Sequence, residues 1–143
     1  MYALADQSTT TTLLWDPAPK KTTFLDRTAT QLVWLDITDE LTDTVVHWAP
    51  IPAAGATSIT PTQSMSIGDV KGVVVASERY AVIGVNDGGY VIVDRNESTV
   101  TTAQLPSGTT PFAPEYVGTT PLSPHEEAWV REATNMYRLR LGP

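Results

Sequence analysis

The stretch Tyr80-Ala81-Val82-Ile83-Gly84-Val85, Asn86-Asp87-Gly88-Gly89, Tyr90-Val91-Ile92-Val93-Asp94 constrains the fold more than any other part of the chain. Its four central residues accept positive φ, and β-branched runs flank them on both sides, so it reads as two antiparallel strands joined by a tight turn. Gly72 to Ala76 before it and Ser98 to Leu105 after it extend the pairing, which makes Gly72 to Leu105 four consecutive strands. Val73-Val74-Val75 and Tyr90-Val91-Ile92-Val93 do not alternate polar with apolar, a pattern that predicts strands covered on both faces.

The N-terminal half repeats a simpler version of this pattern. Leu13-Leu14-Trp15-Asp16, Phe24-Leu25-Asp26 and Leu32-Val33-Trp34-Leu35-Asp36 are short apolar runs that each end in aspartate, ten residues apart. One strand and one turn occupy about that length, and an aspartate at a strand end caps the turn with its own side chain. Threonine makes up roughly one residue in seven, and its stiff χ1 suits a pleated surface better than a helix. The expected architecture is mainly β: an antiparallel β-sandwich or small β-barrel of hairpins and meanders over residues 13 to 105. An extended N-terminal arm over residues 1 to 12 precedes it.

Gly72 to Asn96, with its apolar strand, turn, second strand, Asp-Gly turn and third strand, resembles one blade of a β-propeller. Such a blade implies a four-stranded antiparallel meander. No second copy recurs at the period of about forty residues that a closed propeller needs, so the expectation is a generic antiparallel meander.

Proline sets the remaining expectations. Ala49-Pro50-Ile51-Pro52 through Thr60-Pro61 reads as a surface loop. Gly108-Thr109-Thr110-Pro111-Phe112-Ala113-Pro114 returns ten residues later as Gly118-Thr119-Thr120-Pro121-Leu122-Ser123-Pro124. Proline fixes φ and extends the residue before it, so residues 106 to 122 are expected to lie as a strap with Phe112 and Leu122 as pegs. Residues 123 to 142 read as one C-terminal amphipathic helix. Ser123-Pro124-His125-Glu126 has the form of a capping box, Arg138 and Arg140 lie toward the helix end, and Gly142 closes it. Val130, Ala133, Thr134, Tyr137 and Leu141 fall on one helical face.

Charge and composition narrow the function. The net charge is −7 and cysteine is absent. Nucleic acid and anionic membrane are poor partners for such a chain, and thiolate chemistry is excluded. No basic and apolar leader is visible at the N-terminus and no apolar stretch reaches membrane-spanning length, so a virion surface or the cytoplasm is the expected location. There is no nucleophile elbow, phosphate loop or dinucleotide fingerprint, and the two histidines, His47 and His125, are too few for a histidine-rich metal site. No cofactor and no catalytic residue is assigned.

Three sets of residues remain as candidates. Asp36, Asp39, Glu40 and Asp43 place four carboxylates within eight residues, a weak Ca²⁺ set whose ordinary explanation is a solvated turn. Trp15, Trp34, Trp48 and Tyr90 supply the aromatic faces that a carbohydrate-binding sandwich stacks on sugar rings; core packing is the ordinary explanation. The arm and strap offer Tyr2, Leu4, Phe112, Tyr116 and Leu122 for contacts with other protein subunits. The function expected from this combination is a non-enzymatic assembly protein, such as a capsid decoration or tail-associated component of a tailed phage, forming homo-oligomers. The alternative is a carbohydrate-binding module.

Overall fold

The computed structural model describes Trp15 and residues 21–37, 43–70, 72–85, 89–105, 114–119, 125–132 and 135–142. The side chains of residues 21–23, 114–116, 131 and 132 are outside that description. The described residues form eleven strands: β1 (Lys21–Arg27), β2 (Gln31–Ile37), β3 (Thr44–Pro50), β4 (Gln63–Gly68), β5 (Val74–Ala76), β6 (Tyr80–Gly84), β7 (Gly89–Asp94), β8 (Thr99–Gln104), β9 (Pro114–Thr119), β10 (Glu126–Glu132) and β11 (Asn135–Arg140). The fold is mainly β, in antiparallel sheets, and no helix occurs among the described residues.

The strands make three sheets: sheet A from β1 to β4, sheet B from β5 to β8 and sheet C from β9 to β11. Within each sheet, neighbours in space are neighbours in sequence, so every sheet is a meander. The hairpin at 80–94 is the β6–β7 pair, in register from Tyr80 opposite Asp94 to Gly84 opposite Tyr90. The meander pattern is shared by all three sheets, with four strands in sheets A and B and three described strands in sheet C, and the connection between β3 and β4 is long.

Packing explains the strands that do not alternate. Sheet B lies between the other two. One of its faces packs Val74, Ala81, Ile83, Val91 and Val93 on Val33, Leu35, Val46 and Trp48 of sheet A. The opposite face packs Tyr80, Val82, Tyr90 and Ile92 on Val117, Ala128 and Val130 of sheet C and on Leu141. All five residues of β6 are therefore buried. Each fully buried aliphatic side chain contributes about 1.5–3 kcal/mol, so the middle sheet, collecting it on two faces, holds the stack together.

Two expectations fail here. The described residues of the segment 123 to 142 are not a helix: β10 and β11 pair antiparallel, from Glu127 opposite Arg140 to Glu132 opposite Asn135. Of the residues that suggested a helical face, Val130, Tyr137 and Leu141 also satisfy a period of two, and together with Ala128 and Leu139 they turn to the core shared with sheet B, while Ala133 and Thr134 lie outside the described residues. Helix propensity separates most residues by less than about 0.7 kcal/mol, so burial against Tyr80 and Tyr90 outweighs it. Gly142 caps no helix; it adopts φ of +75°, and a Cβ there would run into the Tyr80 hydroxyl. The strap fails as well where it can be seen, since residues 114–119 are the strand β9, paired with β10. Proline stands at its first position, where the missing N–H is tolerated.

Candidate functional site

The face of sheet A turned away from sheet B carries a polar and aromatic cluster. Strand alternation puts Trp34 and Asp36 of β2, His47 of β3 and Ser64 of β4 on this face, and the register aligns Trp34, His47 and Ser64 in one row. The His47 ring stacks on Trp34 with centroids 5.4 Å apart. Trp15 lies across both, 5.6 Å from Trp34 and 5.4 Å from His47, and its Nε1–H donates to Asp36 Oδ2 at 2.8 Å. His47 Nε2 is 3.1 Å from the same oxygen, and His47 Nδ1 is 2.6 Å from Ser64 Oγ. Asp36 is 1% exposed, so its carboxylate is held by these groups rather than by water. An acid, an imidazole and an exposed hydroxyl thus stand in sequence, with the Trp15 and Trp34 indoles against the imidazole and Trp15 bonded to the same carboxylate.

The first strands of the sheets lie side by side, β1 against β5 and β5 against β9. Asp26 of β1 accepts the Ala76 N–H of β5 at 2.6 Å and ties sheet A to sheet B. Where these strands end, the β1–β2 and β5–β6 connections, with Gly118 and Thr119 of β9 and Glu126 of β10, border an open cavity of about 510 Å³. Its wall holds Thr28, Ser77 and Thr119 hydroxyls with the Glu78 and Glu126 carboxylates. Glu78 accepts from Thr30 N at 3.0 Å and from Thr30 Oγ1 at 2.6 Å, and the Thr30 hydroxyl bond holds its carboxyl below the usual glutamate range. Beneath, the buried Arg95 guanidinium donates to the Gln31 side-chain oxygen and the Ser77 carbonyl. Burial pulls Arg95 below the usual arginine value, against the opposing pull of Glu78 and Glu126.

A second cavity of about 500 Å³ lies across Arg79, between Tyr80, Asp94, Thr101 and Arg140. Arg79 holds Asp94 through both carboxylate oxygens, with Nη2 2.7 Å and Nε 3.0 Å from Oδ2, and sits 5.1 Å from the Tyr80 ring centroid. The Arg79 bond lowers the Asp94 carboxyl, aided by the Glu97 and Asn96 amides. Burial raises the Tyr80 phenol.

The outer rim and the far end of the stack are different in kind. β8, an edge strand of sheet B, exposes Thr99, Val100, Thr101 and Thr102 and carries no charge. On the sheet C face turned away from sheet B, Trp129 pairs in register with Arg138, and Met136 is 69% exposed. Arg138 Nε lies 3.5 Å from the buried Glu127, and Arg140 Nη2 lies 2.9 Å from His125 Nε2.

The residues singled out from sequence fall as follows. Trp34, Trp48 and Tyr90 are buried at 3%, 4% and 1% exposure, so none offers a face to a sugar ring, and Trp15 is half-buried. Asp36 belongs to the tryptophan cluster and Asp43 accepts from the Ser66 hydroxyl, while Asp39 and Glu40 lie outside the described residues. Among the described residues no three His, Asp or Glu side chains gather as a metal set. Tyr116 is in β9, paired with Trp129; Tyr2, Leu4, Phe112 and Leu122 lie outside the described residues. The Arg79–Asp94 and Glu78–Thr30 contacts and the Asp36–His47 pairing escape sequence reading, because each depends on a register or a sheet-to-sheet contact. No helix of the described residues is long and apolar enough to cross a membrane. Comparison with protein-family models, curated proteins and solved structures yields no match.

Proposed function

We propose that the chain is a non-enzymatic assembly protein that binds other protein subunits through its surface strands. Its setting in this reading is the particle of a tailed phage, as a capsid decoration or tail-associated protein. The observation that carries the reading is β8: among the described residues, an edge strand that is exposed, uncharged and mostly β-branched. Such an edge offers unpaired backbone groups, and proteins that stay apart blunt it with lysine, proline or a covering segment. A second strand laid along it gains main-chain hydrogen bonds and a contact with Val100, which is 42% exposed. The stacked sheets then act as a sandwich-like scaffold that presents this edge, with Tyr2, Leu4, Phe112, Tyr116 and Leu122 as further contacts from the terminal and connecting segments.

The test is Thr101→Lys, a surface change expected to alter stability by less than about 0.5 kcal/mol. The chain is quantified by mass spectrometry in purified particles from the source cells, beside the same measurement on the variant. A fixed ratio to the major shell protein, lost in the variant, supports the reading. Absence of the chain from the particles overturns the phage setting, and an unchanged ratio in the variant overturns the role of β8.

A further inference from the structure

Sheet C turns Ala128, Val130, Tyr137, Leu139 and Leu141 to the core it shares with sheet B, so strand alternation puts Glu127, Trp129, Met136, Arg138 and Arg140 on its other face. Most of that face is open to solvent. Met136 is 69% exposed, the Arg138 side chain is 58% exposed, Arg140 is exposed and Trp129 is half-buried. The register sets the spacing: Trp129 lies opposite Arg138, Glu127 lies opposite Arg140, and Met136, Arg138 and Arg140 follow at every second residue of β11. Two residues of strand advance by about 6.5 Å, which is the step between the two arginine positions.

The charge of this face runs against that of the chain, where sixteen acidic residues outnumber nine basic ones. Arg79 closes its fork on Asp94, but among the described residues neither Arg138 nor Arg140 is hydrogen-bonded to a carboxylate. Glu127 stands 3.5 Å from Arg138 Nε and leaves the two terminal nitrogens for another partner. Arg140 Nη2 meets the His125 ring nitrogen rather than an anion. Arginine, tryptophan and methionine are the residues that protein interfaces concentrate: a planar fork, a large rigid face and an adaptable apolar contact. A long polyanion laid on this face would also meet the acidic remainder of the molecule, whereas a short acidic segment meets the arginines alone.

We propose that the outer face of sheet C docks an extended acidic segment of another protein, with carboxylates at alternate residues for Arg138 and Arg140 and an apolar side chain for Trp129 and Met136. Side chains on one side of an extended segment recur at the same step of about 6.5 Å, so two acids two residues apart meet both guanidinium groups in one register. An apolar residue two positions further reaches Met136. The proposal rests on the assembly reading above, adds a second surface to β8 and names the chemistry of what it takes.

The probe is a synthetic peptide, acetyl-Leu-Thr-Glu-Thr-Glu-Thr-amide, titrated into the full chain at low salt and followed by NMR. The Trp129 indole N–H and the Arg138 and Arg140 side-chain N–H signals should move together and saturate with a Kd below about 1 mM. Added salt should weaken the binding. Both arginines are exposed, so Arg138→Gln and Arg140→Gln are expected to fold, and each should weaken binding about tenfold. Arg138→Lys should fail to restore it, because an ammonium lacks the planar fork. Arg27→Gln, at an exposed arginine of sheet A, should leave binding unchanged. No movement at millimolar peptide, equal binding of the peptide with Gln in place of Glu, or binding of a sulfated oligosaccharide in place of the peptide overturns the proposal. A chain found at a fixed ratio in particles that binds no peptide overturns the docking face alone. A chain that binds the peptide but is absent from particles keeps the face and overturns the phage setting.

Discussion

The two ends of the sheet stack are finished in opposite ways. At sheet A, Trp15 lies over Trp34 and His47 and is fastened to Asp36, so the outer face carries a buried, hydrogen-bonded cluster. At sheet C, Trp129, Met136 and Arg138 stand on the outer face with an exposed methionine among them. In stacked architectures the terminal units are the ones that must be capped, because each interior unit already has a neighbour on both sides. Here one end carries a covering tryptophan from the same chain, and the other exposes Met136 and Arg138.

That contrast breaks first if Trp34 is expendable. Trp34→Ala removes the side chain beneath Trp15 and should cost about 3–5 kcal/mol in chemical unfolding, with Trp129→Ala costing distinctly less. A similar loss at both positions erases the difference between the ends. Asp36→Asn keeps the shape but removes the charge that Trp15 and His47 share; an expected cost of about 1–3 kcal/mol, together with a shifted Trp15 indole N–H resonance, shows that the cap is fastened electrostatically.

Acid sharpens the comparison, since the lowered carboxyls lie around sheet B and its neighbours rather than at either end. Asp94 and Glu78 are held below their ordinary values by Arg79 and Thr30, so the stability they add is present above the unfolded carboxyl range. It is lost as pH falls through their folded values. Asp94→Asn should flatten that acid limb in a melting-versus-pH series, and an unchanged slope removes Asp94 from the account. The smallest effect belongs to the open end: Met136→Lys should move stability by less than about 0.5 kcal/mol in the isolated subunit.

Legibility in the sequence followed the range of the interactions. The β6–β7 hairpin was written in a few adjacent residues, Asn86 to Gly89 between β-branched runs, and its buried, non-alternating neighbours announced a sheet covered twice. Residues 123 to 142 misled because local cues conflict with tertiary ones. Ser123-Pro124-His125-Glu126 imitates a helix start, yet only the face of sheet B, with Tyr80 and Tyr90, decides that Ala128 and Val130 alternate as a strand. The tryptophan cluster was half legible: Trp15, Trp34 and Asp36 stood out singly, but the diagonal from Asp36 to His47 exists only once β2 and β3 are paired.

The meander order of the strands has a consequence for how the molecule is made. Among the described residues sheet A draws on 21 to 68, sheet B on 74 to 104 and sheet C on 114 to 140, with no described strand borrowed across those boundaries. A ribosome releasing this chain from its N-terminus therefore delivers each layer whole before the next begins, and every new layer meets a finished surface on which to condense. Growth among these layers is vectorial, and the middle sheet is in place before the last one folds against it.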